Sequence, residues 1–306
     1  MRSKVKSSKP GLIAIVGPTA SGKTALAIHL ARRSGGEIVS ADARQIYRGM
    51  DIGTAKPTAA ERAAAPHHLI DIRDPDDDYT VADYQRDAFA AIDAIIARGA
   101  IPFLAGGTGL FVKAVVENMN IPGTAADPAL RGEIEAEIAR DGLAAVFTRL
   151  VALDPDAAGV VDPKNPRRVV RALEVARATG KPFTAQRRMR EPRHETLILG
   201  IDPHGDVLRA RIERRVDAMI ENGFAREVTT LIERYGAAAP AFNAIGYREM
   251  AAHLDGKASL DETIAAIKME TWHYAKRQRT WFRKTKGVRW VAGEDEAADI
   301  VGDFFE

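Results

Sequence analysis

The chain has 306 residues, 46% of them hydrophobic and 28% charged, with a net charge of +2 and no cysteine. This length corresponds to one large domain or two ordinary ones, and the lack of cysteine excludes disulfides, thiolate zinc sites and thiol nucleophiles. No window holds the roughly 20 apolar residues of a membrane span, and no apolar signal segment follows the basic start, so we expect a cytosolic protein.

The first part of the chain alternates short apolar segments with amphipathic ones. Predicted strands cover 12–16, 37–41 and 101–105. Predicted helices run from Lys23 to Arg33 and from an N-cap at Thr80, paired with Asp83, to Gly99. Strands that alternate with helices favour a parallel sheet with helices on both faces.

The first strand leads into a phosphate-binding motif. The segment GPTASGKT matches the P-loop pattern GxxxxGK[ST], with a strand before it and a helix after it. Backbone N–H groups of such a loop and the following helix N-terminus face an anion. The predicted diphosphate-binding residues are Gly17, Pro18, Thr19, Ala20, Ser21, Gly22, Lys23 and Thr24. The Thr24 hydroxyl is also the predicted protein ligand of a Mg²⁺ cofactor.

The P-loop by itself indicates a di- or triphosphate and leaves the reaction open. No NKxD segment is present, which argues against a GTPase, and the strand over 101–105 runs into glycine where an ATPase carries an acidic pair. Asp42 follows the second predicted strand, at the carboxyl edge of the sheet where open α/β folds bind ligands. It is therefore a candidate general base or metal ligand.

The pattern changes to helices after residue 120. Predicted helices cover 131–140, 143–154 and 166–179, and the next predicted strand covers 196–201. We therefore predict an α/β fold with a P-loop catalytic core over 1–120 and 196–306 and a small helical insertion domain over 121–195. A capping box at Ser259 and Glu262 begins a C-terminal helix in which Trp281 and Phe282 are predicted to pack in the core.

Basic residues concentrate in two blocks although the net charge is small. Ten basic and two acidic residues lie between 164 and 193, and seven basic with no acidic residues lie between 276 and 289. Two such blocks beside a phosphate motif favour binding of a nucleic acid at particular places.

Taken in order, several segments resemble the bacterial tRNA dimethylallyltransferases, the tRNA isopentenyltransferase family. They are GPTASGKTALA (17–27), SADARQIYRGMDIGTAKP (40–57), PHHLIDI (66–72), GGTGLFVKA (106–114), NPRRVVRALEV (165–175), Arg211-Ile212 with Arg215, NAIGYRE (243–249) and AKRQRTWFRK (275–284). The resemblance covers nearly the whole chain. One departure is Ala43, where the family usually has serine after the catalytic aspartate.

The resemblance implies transfer of a dimethylallyl group from its diphosphate to N6 of adenine 37 in tRNAs that read codons beginning with U. It implies catalytic roles for Asp42, Thr108 and Arg211, and a helical insertion that grips the anticodon stem-loop. The residues implied in tRNA binding are Asp42, Ala43, Arg44, Gln45, Arg167, Arg168, Val169, Val170, Arg171, Asn243, Ala244, Ile245, Gly246, Tyr247 and Arg248. We expect a monomer.

Other functions remain open from the residues alone. A small-molecule P-loop kinase would use Arg187, Arg188 and Arg190 as a lid over its phosphates. An isopentenyltransferase acting on AMP would share the core chemistry but would have no use for a basic insertion. An RNA-binding module with a vestigial P-loop would not need Asp42 and Thr108. Tyr47 and Tyr247 fit either stacking on RNA or burial.

Overall fold

A computed structural model describes residues 9–121, 127–186 and 190–305. The chain divides into two compact units. The first, which we call the core, contains Met1–Val116 and Pro192–Glu306, and the second, the insertion, contains Glu117–Glu191. From the sequence, the boundaries of the insertion were predicted after residues 120 and 195.

The core is built on one parallel sheet. Its strands are β1 (Gly11–Val16), β2 (Gly36–Ser40), β3 (His67–His68), β4 (Ile101–Gly106), β5 (Glu195–Gly200) and β6 (Val288–Trp290). They lie in the order β3-β2-β4-β1-β5-β6, with every pairing parallel. The predicted α/β class with a parallel sheet is confirmed.

Helices cover both faces of the sheet. Those of the core are α1 (Lys23–Ser34), α2 (Ala59–Ala64), α3 (Val81–Ala97) and α4 (Gly109–Val116). The remaining helices of the core follow the insertion in the chain. They are α9 (Gly205–Glu221), α10 (Phe224–Tyr235), α11 (Tyr247–Leu254), α12 (Leu260–Lys284) and α13 (Glu294–Phe305). The two predicted capping boxes are present, at Thr80 with Asp83 before α3 and at Ser259 with Glu262 before α12.

The alternating direction of the side chains along β1 explains why helices cover both faces of the sheet. Successive side chains of a strand point to opposite faces. Leu12, Ala14 and Val16 accordingly join the apolar cluster on the α3 and α4 side, whereas Ile13 and Ile15 join the cluster on the α1 and α13 side. Because both faces of β1 are fully buried, the strand reads in the sequence as a continuous apolar run.

The insertion is a helical unit with its own apolar cluster. Its helices are α5 (Pro128–Asp141), α6 (Leu143–Leu153), α7 (Ala157–Val160) and α8 (Pro166–Thr179). Ile134, Val146, Leu150 and Leu173 are among the fully buried residues of this cluster. The three predicted helices of this segment are confirmed, and α7 is a short additional turn.

A third apolar cluster joins the segment after β2 to the C-terminal helices. Ile46 and Met50 pack there with residues of α9 to α12. Glu227 on α10 strengthens the join, because its carboxylate accepts hydrogen bonds from the backbone N–H groups of Asp51, Ile52 and Gly53 at 3.0, 2.7 and 3.2 Å. Residues distant in sequence thereby hold the chain that leaves the carboxyl edge of β2.

The prediction for Trp281 is wrong. The buried side of α12 includes Ile267, Ala275, Gln278 and Phe282, so Trp281 lies beside this stripe and is 36% exposed. Phe282 is buried as predicted, at 1% exposure. Among the described helices, none is both long and apolar enough to cross a membrane.

Candidate active site at the carboxyl edge of the sheet

The P-loop connects the end of β1 to the start of α1. Ala20 and Gly22 have positive φ angles of 62° and 99°, a conformation that is easiest for glycine. Gly17 passes so close to the residue that follows β5 that a Cβ there would lie 2.5 Å from the Ile201 carbonyl oxygen. The N-terminus of α1 begins at Lys23 and supplies a partial positive charge for an anion.

Two arginines of α9 extend the P-loop into a cationic site. Arg211 donates from Nη1 to the Ser21 carbonyl at 3.0 Å. Arg215, one turn later, donates to the Thr19 hydroxyl at 3.0 Å and to the Thr54 carbonyl at 3.3 Å. With Lys23 and Thr24, these arginines line a cavity of about 480 Å³. Its size and charge suit a diphosphate with a short organic tail.

The charges in this cavity perturb one another. Burial lowers the pKa of Lys23 to about 8, with the Asp42 charge opposing that shift and Arg215 adding to it. Burial also lowers the pKa of the Arg215 guanidinium, again opposed by Asp42. The Asp42 charge therefore favours the charged forms of both Lys23 and Arg215, against the effect of their burial.

The Lys23 pKa predicts a pH dependence for use of a diphosphate substrate. The ammonium is charged below pH 8 and loses its charge above it, so kcat/KM for the diphosphate is expected to fall as the pH rises through about 8. Initial rates from pH 6.5 to 9.5 at low diphosphate concentration measure this. Lys23→Arg keeps its charge throughout, so its profile should lose the decline near pH 8. The same decline in that variant would contradict the assignment to Lys23.

Asp42 and Thr108 come together from two neighbouring strands. The Asp42 carboxylate accepts a hydrogen bond from the Arg44 N–H at 2.9 Å, which fixes its direction just beyond β2. Thr108, just beyond β4, accepts from the Ala43 N–H at 3.0 Å. The two chain segments approach closely at Gly106, where a Cβ would lie 2.1 Å from the Ala41 carbonyl oxygen.

Tyr274 of α12 adds a hydroxyl to this pair. Burial and, after it, the Asp42 charge raise the pKa of Tyr274 to about 12, and a hydrogen bond with Thr108 opposes the rise. The phenol therefore stays protonated at physiological pH and can donate a hydrogen bond beside Asp42. None of the sequence motifs described above includes this residue.

Gln278 is a second residue that sequence reasoning missed. Its Oε1 accepts from the Thr19 N–H of the P-loop at 2.8 Å, and its Nε2 donates to the Gly107 carbonyl at 2.8 Å. The side chain is 6% exposed, so it rigidly ties the phosphate loop to the chain that carries Thr108. A glutamine on the buried side of α12 was the available signal, because buried amides are hydrogen-bonded.

Other residues implied in tRNA binding differ in how exposed their side chains are. Arg44 is half-buried near Tyr274, while the Gln45 amide is directed to backbone carbonyls, with Nε2 3.3 Å from the Ala55 oxygen. Around the NAIGYRE segment, Asn243 and Arg248 are exposed and Ile245 is half-buried.

Three residues of the NAIGYRE segment do not fit the implied contact with RNA, because they are buried. Tyr247 is fully buried, and its hydroxyl donates to the Glu227 carboxylate at 2.6 Å. Ala244 and Gly246 are also buried. Tyr47 is also buried, at 6% exposure. Of the two alternatives for Tyr47 and Tyr247, stacking on RNA or burial, the structure therefore shows burial for both.

The arginines of α8 differ from one another. Arg167 and Arg168 are exposed and form no ion pair within the described ranges. Arg171 pairs with Glu174 at 3.0 Å, and Glu174 is fully buried. Val169 and Val170 pack in the insertion's apolar cluster, so their side chains are not available to RNA. The free cationic surface of this helix is therefore at Arg167 and Arg168.

The cavity can hold a Mg²⁺ ion only with help from its ligand. Outside the gaps at 1–8, 122–126, 187–189 and 306, no group of three or more His, Asp or Glu side chains could hold a metal. Thr24 offers one hydroxyl oxygen on the wall of the cavity. Mg²⁺ commonly takes few protein ligands and completes its shell with phosphate oxygens and water, so this donor set fits the ion.

Comparisons with known proteins agree with this geometry. Residues 45–285 match the model of the IPP transferase family. A tRNA dimethylallyltransferase of Roseiflexus sp. (strain RS-1) is 51% identical over 96% of this chain and 99% of its own length. The crystal structure of a tRNA isopentenylpyrophosphate transferase from Bacillus halodurans is 43% identical, covers 97% of this chain and 96% of its own, and has a TM-score of 0.72. A eukaryotic dimethylallyltransferase acting on tRNA has a TM-score of 0.84 at 27% identity, over 97% of this chain and 79% of its own.

Proposed function

This chain belongs to the IPP transferase family, and we propose that it transfers a dimethylallyl group from dimethylallyl diphosphate to N6 of adenine 37 in tRNAs that read codons beginning with U. The observation that carries the proposal is the meeting of an oriented carboxylate, Asp42, with a P-loop and two arginines at one edge of the sheet. The relatives' activity on tRNA supports the acceptor.

In the proposed reaction the adenine N6 attacks C1 of the dimethylallyl group. The new N6–C1 bond forms as the C1–O bond breaks, the bonding pair leaves with diphosphate, and one N6 proton passes to the Asp42 carboxylate. The exocyclic amine is a poor nucleophile, so a base that accepts this proton as the bond forms lowers the barrier. Thr108 and the Tyr274 hydroxyl lie beside Asp42 and help to orient the acceptor.

The leaving diphosphate gains negative charge as the C1–O bond breaks. Lys23, Arg211 and the P-loop N–H groups neutralise that charge in a preorganised site. Arg215 contributes by its charge and by holding Thr19 in place at 3.0 Å. We propose that Thr24 with the diphosphate oxygens holds Mg²⁺, which when bound supplies further positive charge toward the leaving group.

The proposed tRNA contact of the insertion predicts a salt effect. Arg167→Ala with Arg168→Ala is expected to raise Kd for tRNA and to reduce the slope of log Kd against log salt by about one unit for each lost phosphate contact. The rate at saturating tRNA should change much less, because these residues lie in the insertion and Asp42 lies in the core. Filter binding between 50 and 300 mM KCl measures the slope.

The matched control removes two exposed arginines from α1. Arg32→Ala with Arg33→Ala makes the same change in net charge at the end of the helix remote from the P-loop. If this control and the Arg167/Arg168 variant reduce the slope equally, the effect is one of overall charge and the insertion contact is wrong.

The test of the function compares acceptors and donors directly. The protein is incubated with ¹⁴C-labelled dimethylallyl diphosphate and either unmodified tRNA that reads U-initial codons, the same tRNA with guanine at position 37, or AMP. Label is expected only in the first tRNA. Label in AMP would favour the AMP isopentenyltransferase, and formation of ADP from ATP with transfer of phosphate would favour a kinase.

Specific observations weaken both alternatives. Arg190, one of the three arginines of the kinase lid, donates to Asn120 at 2.7 Å within the insertion, while Arg187 and Arg188 lie outside the described residues. An acceptor as small as AMP would leave the exposed cations of α8 without a partner. We further propose that the protein acts as a monomer in the cytoplasm, where tRNA is modified, because the proposed catalytic residues all belong to one unit of one chain.

A further inference from the structure

The NAIGYRE segment contains a buried tyrosine that the proposed chemistry does not use. The Tyr247 ring packs edge-on against Phe224, with ring centroids 5.1 Å apart and an interplanar angle of 88°. Its hydroxyl donates to the Glu227 carboxylate at 2.6 Å. Burial and, after it, the Glu227 charge raise the pKa of Tyr247 well above its ordinary value, so the hydroxyl stays protonated. Tyr247 therefore fixes the position of the Glu227 carboxylate.

The Glu227 carboxylate in turn holds a short piece of chain, residues 51–53, which we call the anchored segment. It accepts hydrogen bonds from the backbone N–H groups of all three residues. Hydrogen bonds to an ionised carboxylate are stronger than those between neutral groups. Packing adds to them, since a Cβ on Gly53 would lie 2.4 Å from the Phe224 ring and 2.5 Å from the Tyr247 ring.

The residues that follow the anchored segment form part of the wall of the diphosphate cavity. Ala55 and Pro57 line the cavity, and the Thr54 carbonyl accepts from Arg215 at 3.3 Å. Ala55 has a φ of 45°, a conformation that costs free energy for a residue with a Cβ and persists only where neighbouring contacts impose it. The hydrogen bonds of the anchored segment supply such contacts directly before it.

Arg215 connects this part of the wall to the P-loop. Its Nη2 donates to the Thr54 carbonyl at 3.3 Å, and its Nη1 donates to the Thr19 hydroxyl at 3.0 Å. Because a guanidinium is planar and rigid, the two acceptors together fix its orientation in the cavity. Displacement of Thr54 would remove one acceptor and leave the positive charge less well directed at a bound diphosphate.

We propose that Tyr247 and Glu227 are positioning residues for the donor, which hold residues 51–57 so that Arg215 stays oriented toward the P-loop and the diphosphate. The inference rests on the proposed function, because it takes a prenyl diphosphate to occupy the cavity. It gives the buried part of the NAIGYRE segment a role in use of the donor, in place of the contact with RNA that the resemblance implied.

The first test removes the Tyr247 hydroxyl and keeps its ring. Tyr247→Phe is expected to lower kcat/KM for dimethylallyl diphosphate by about 2- to 10-fold, the equivalent of one net hydrogen bond, mainly by raising KM. Kd for tRNA should not change. The matched control is Tyr235→Phe at the last residue of α10, because that hydroxyl also donates to a carboxylate, that of Asp74 at 3.1 Å. It should change neither parameter.

A double-mutant cycle shows whether the effect passes through Arg215. Arg215→Met removes the charge and both hydrogen bonds while it fills much of the same space. In that background Tyr247→Phe should cause little further loss of kcat/KM, because the group that it positions is already absent. A purely structural role of Tyr247 would lower kcat/KM by the same factor in both backgrounds.

Binding of inorganic diphosphate repeats the cycle without the transfer reaction. Calorimetric titration with diphosphate and Mg²⁺ is expected to show weaker binding in Tyr247→Phe when Arg215 is present and no further weakening in Arg215→Met. If Tyr247→Phe does not fold, Glu227→Gln takes its place in both cycles. Glutamine keeps an oxygen that accepts from the anchored segment but lacks the charge, so the same pattern is expected.

The outcomes separate this inference from the proposed function. Equal losses in both backgrounds, or a raised Kd for tRNA with an unchanged KM for dimethylallyl diphosphate, overturn the positioning role even if dimethylallyl transfer occurs. Diphosphate binding that depends on Tyr247 only when Arg215 is present, without transfer of label to tRNA, supports the positioning role and overturns the proposed function.

Discussion

Replacement of Asp42 by asparagine is expected to reduce kcat by about 10²- to 10⁴-fold, the usual contribution of a general base. Asparagine keeps an oxygen that can accept the hydrogen bond from the Arg44 N–H, now 2.9 Å from Oδ1, so the turn after β2 should be preserved. It cannot take the proton that N6 releases. Single-turnover rates with both substrates saturating measure the effect, and tRNA affinity is expected to stay near that of the unaltered protein.

A surface aspartate provides the control for that substitution. The Asp206 side chain is 94% exposed at the start of α9, so Asp206→Asn removes one negative charge without touching the site. It should leave kcat unchanged. A kcat for Asp42→Asn similar to that of Asp206→Asn would show that Asp42 is not the base, and proton transfer to solvent or to the diphosphate would then have to be considered.

Replacement of Lys23 by alanine is expected to lower kcat/KM for dimethylallyl diphosphate by about 10²- to 10³-fold, as for loss of one preorganised group that stabilises developing negative charge. The ammonium donates to the Pro18 carbonyl at 3.2 Å and faces the cavity that Arg211 and Arg215 also line. Initial rates at varied diphosphate concentration with saturating tRNA measure this loss.

Measurement of tRNA binding shows whether Lys23 acts only on the diphosphate or also contributes to tRNA affinity. Arg33→Ala, at the opposite end of α1, removes the same charge and should change neither parameter. Kd for tRNA is expected to be similar in the Lys23→Ala, Arg33→Ala and unaltered proteins. A parallel rise of tRNA Kd in Lys23→Ala alone would contradict a role confined to the diphosphate.

The sequence allowed prediction of most of what depends on neighbouring residues. The apolar runs of β1 and β4, the capping boxes of α3 and α12 and the strand–loop–helix arrangement around residues 17–24 were all predicted correctly. Each is determined by residues within a few positions, since side-chain periodicity, N-capping and the P-loop conformation are local properties. The end of β2 likewise indicated that Asp42 would lie at the carboxyl edge.

Only the tertiary structure decided which distant side chains complete the site. Gln278 bridges Thr19 and Gly107 across 259 and 171 positions of sequence, and no local pattern identifies such partners. A shift of one position around α12 also exchanges burial for exposure, which is why Trp281 is partly exposed while Phe282 is buried. Helical periodicity restricts the buried face to a stripe, but the packing of α12 against its neighbours determines where the edge of that stripe falls.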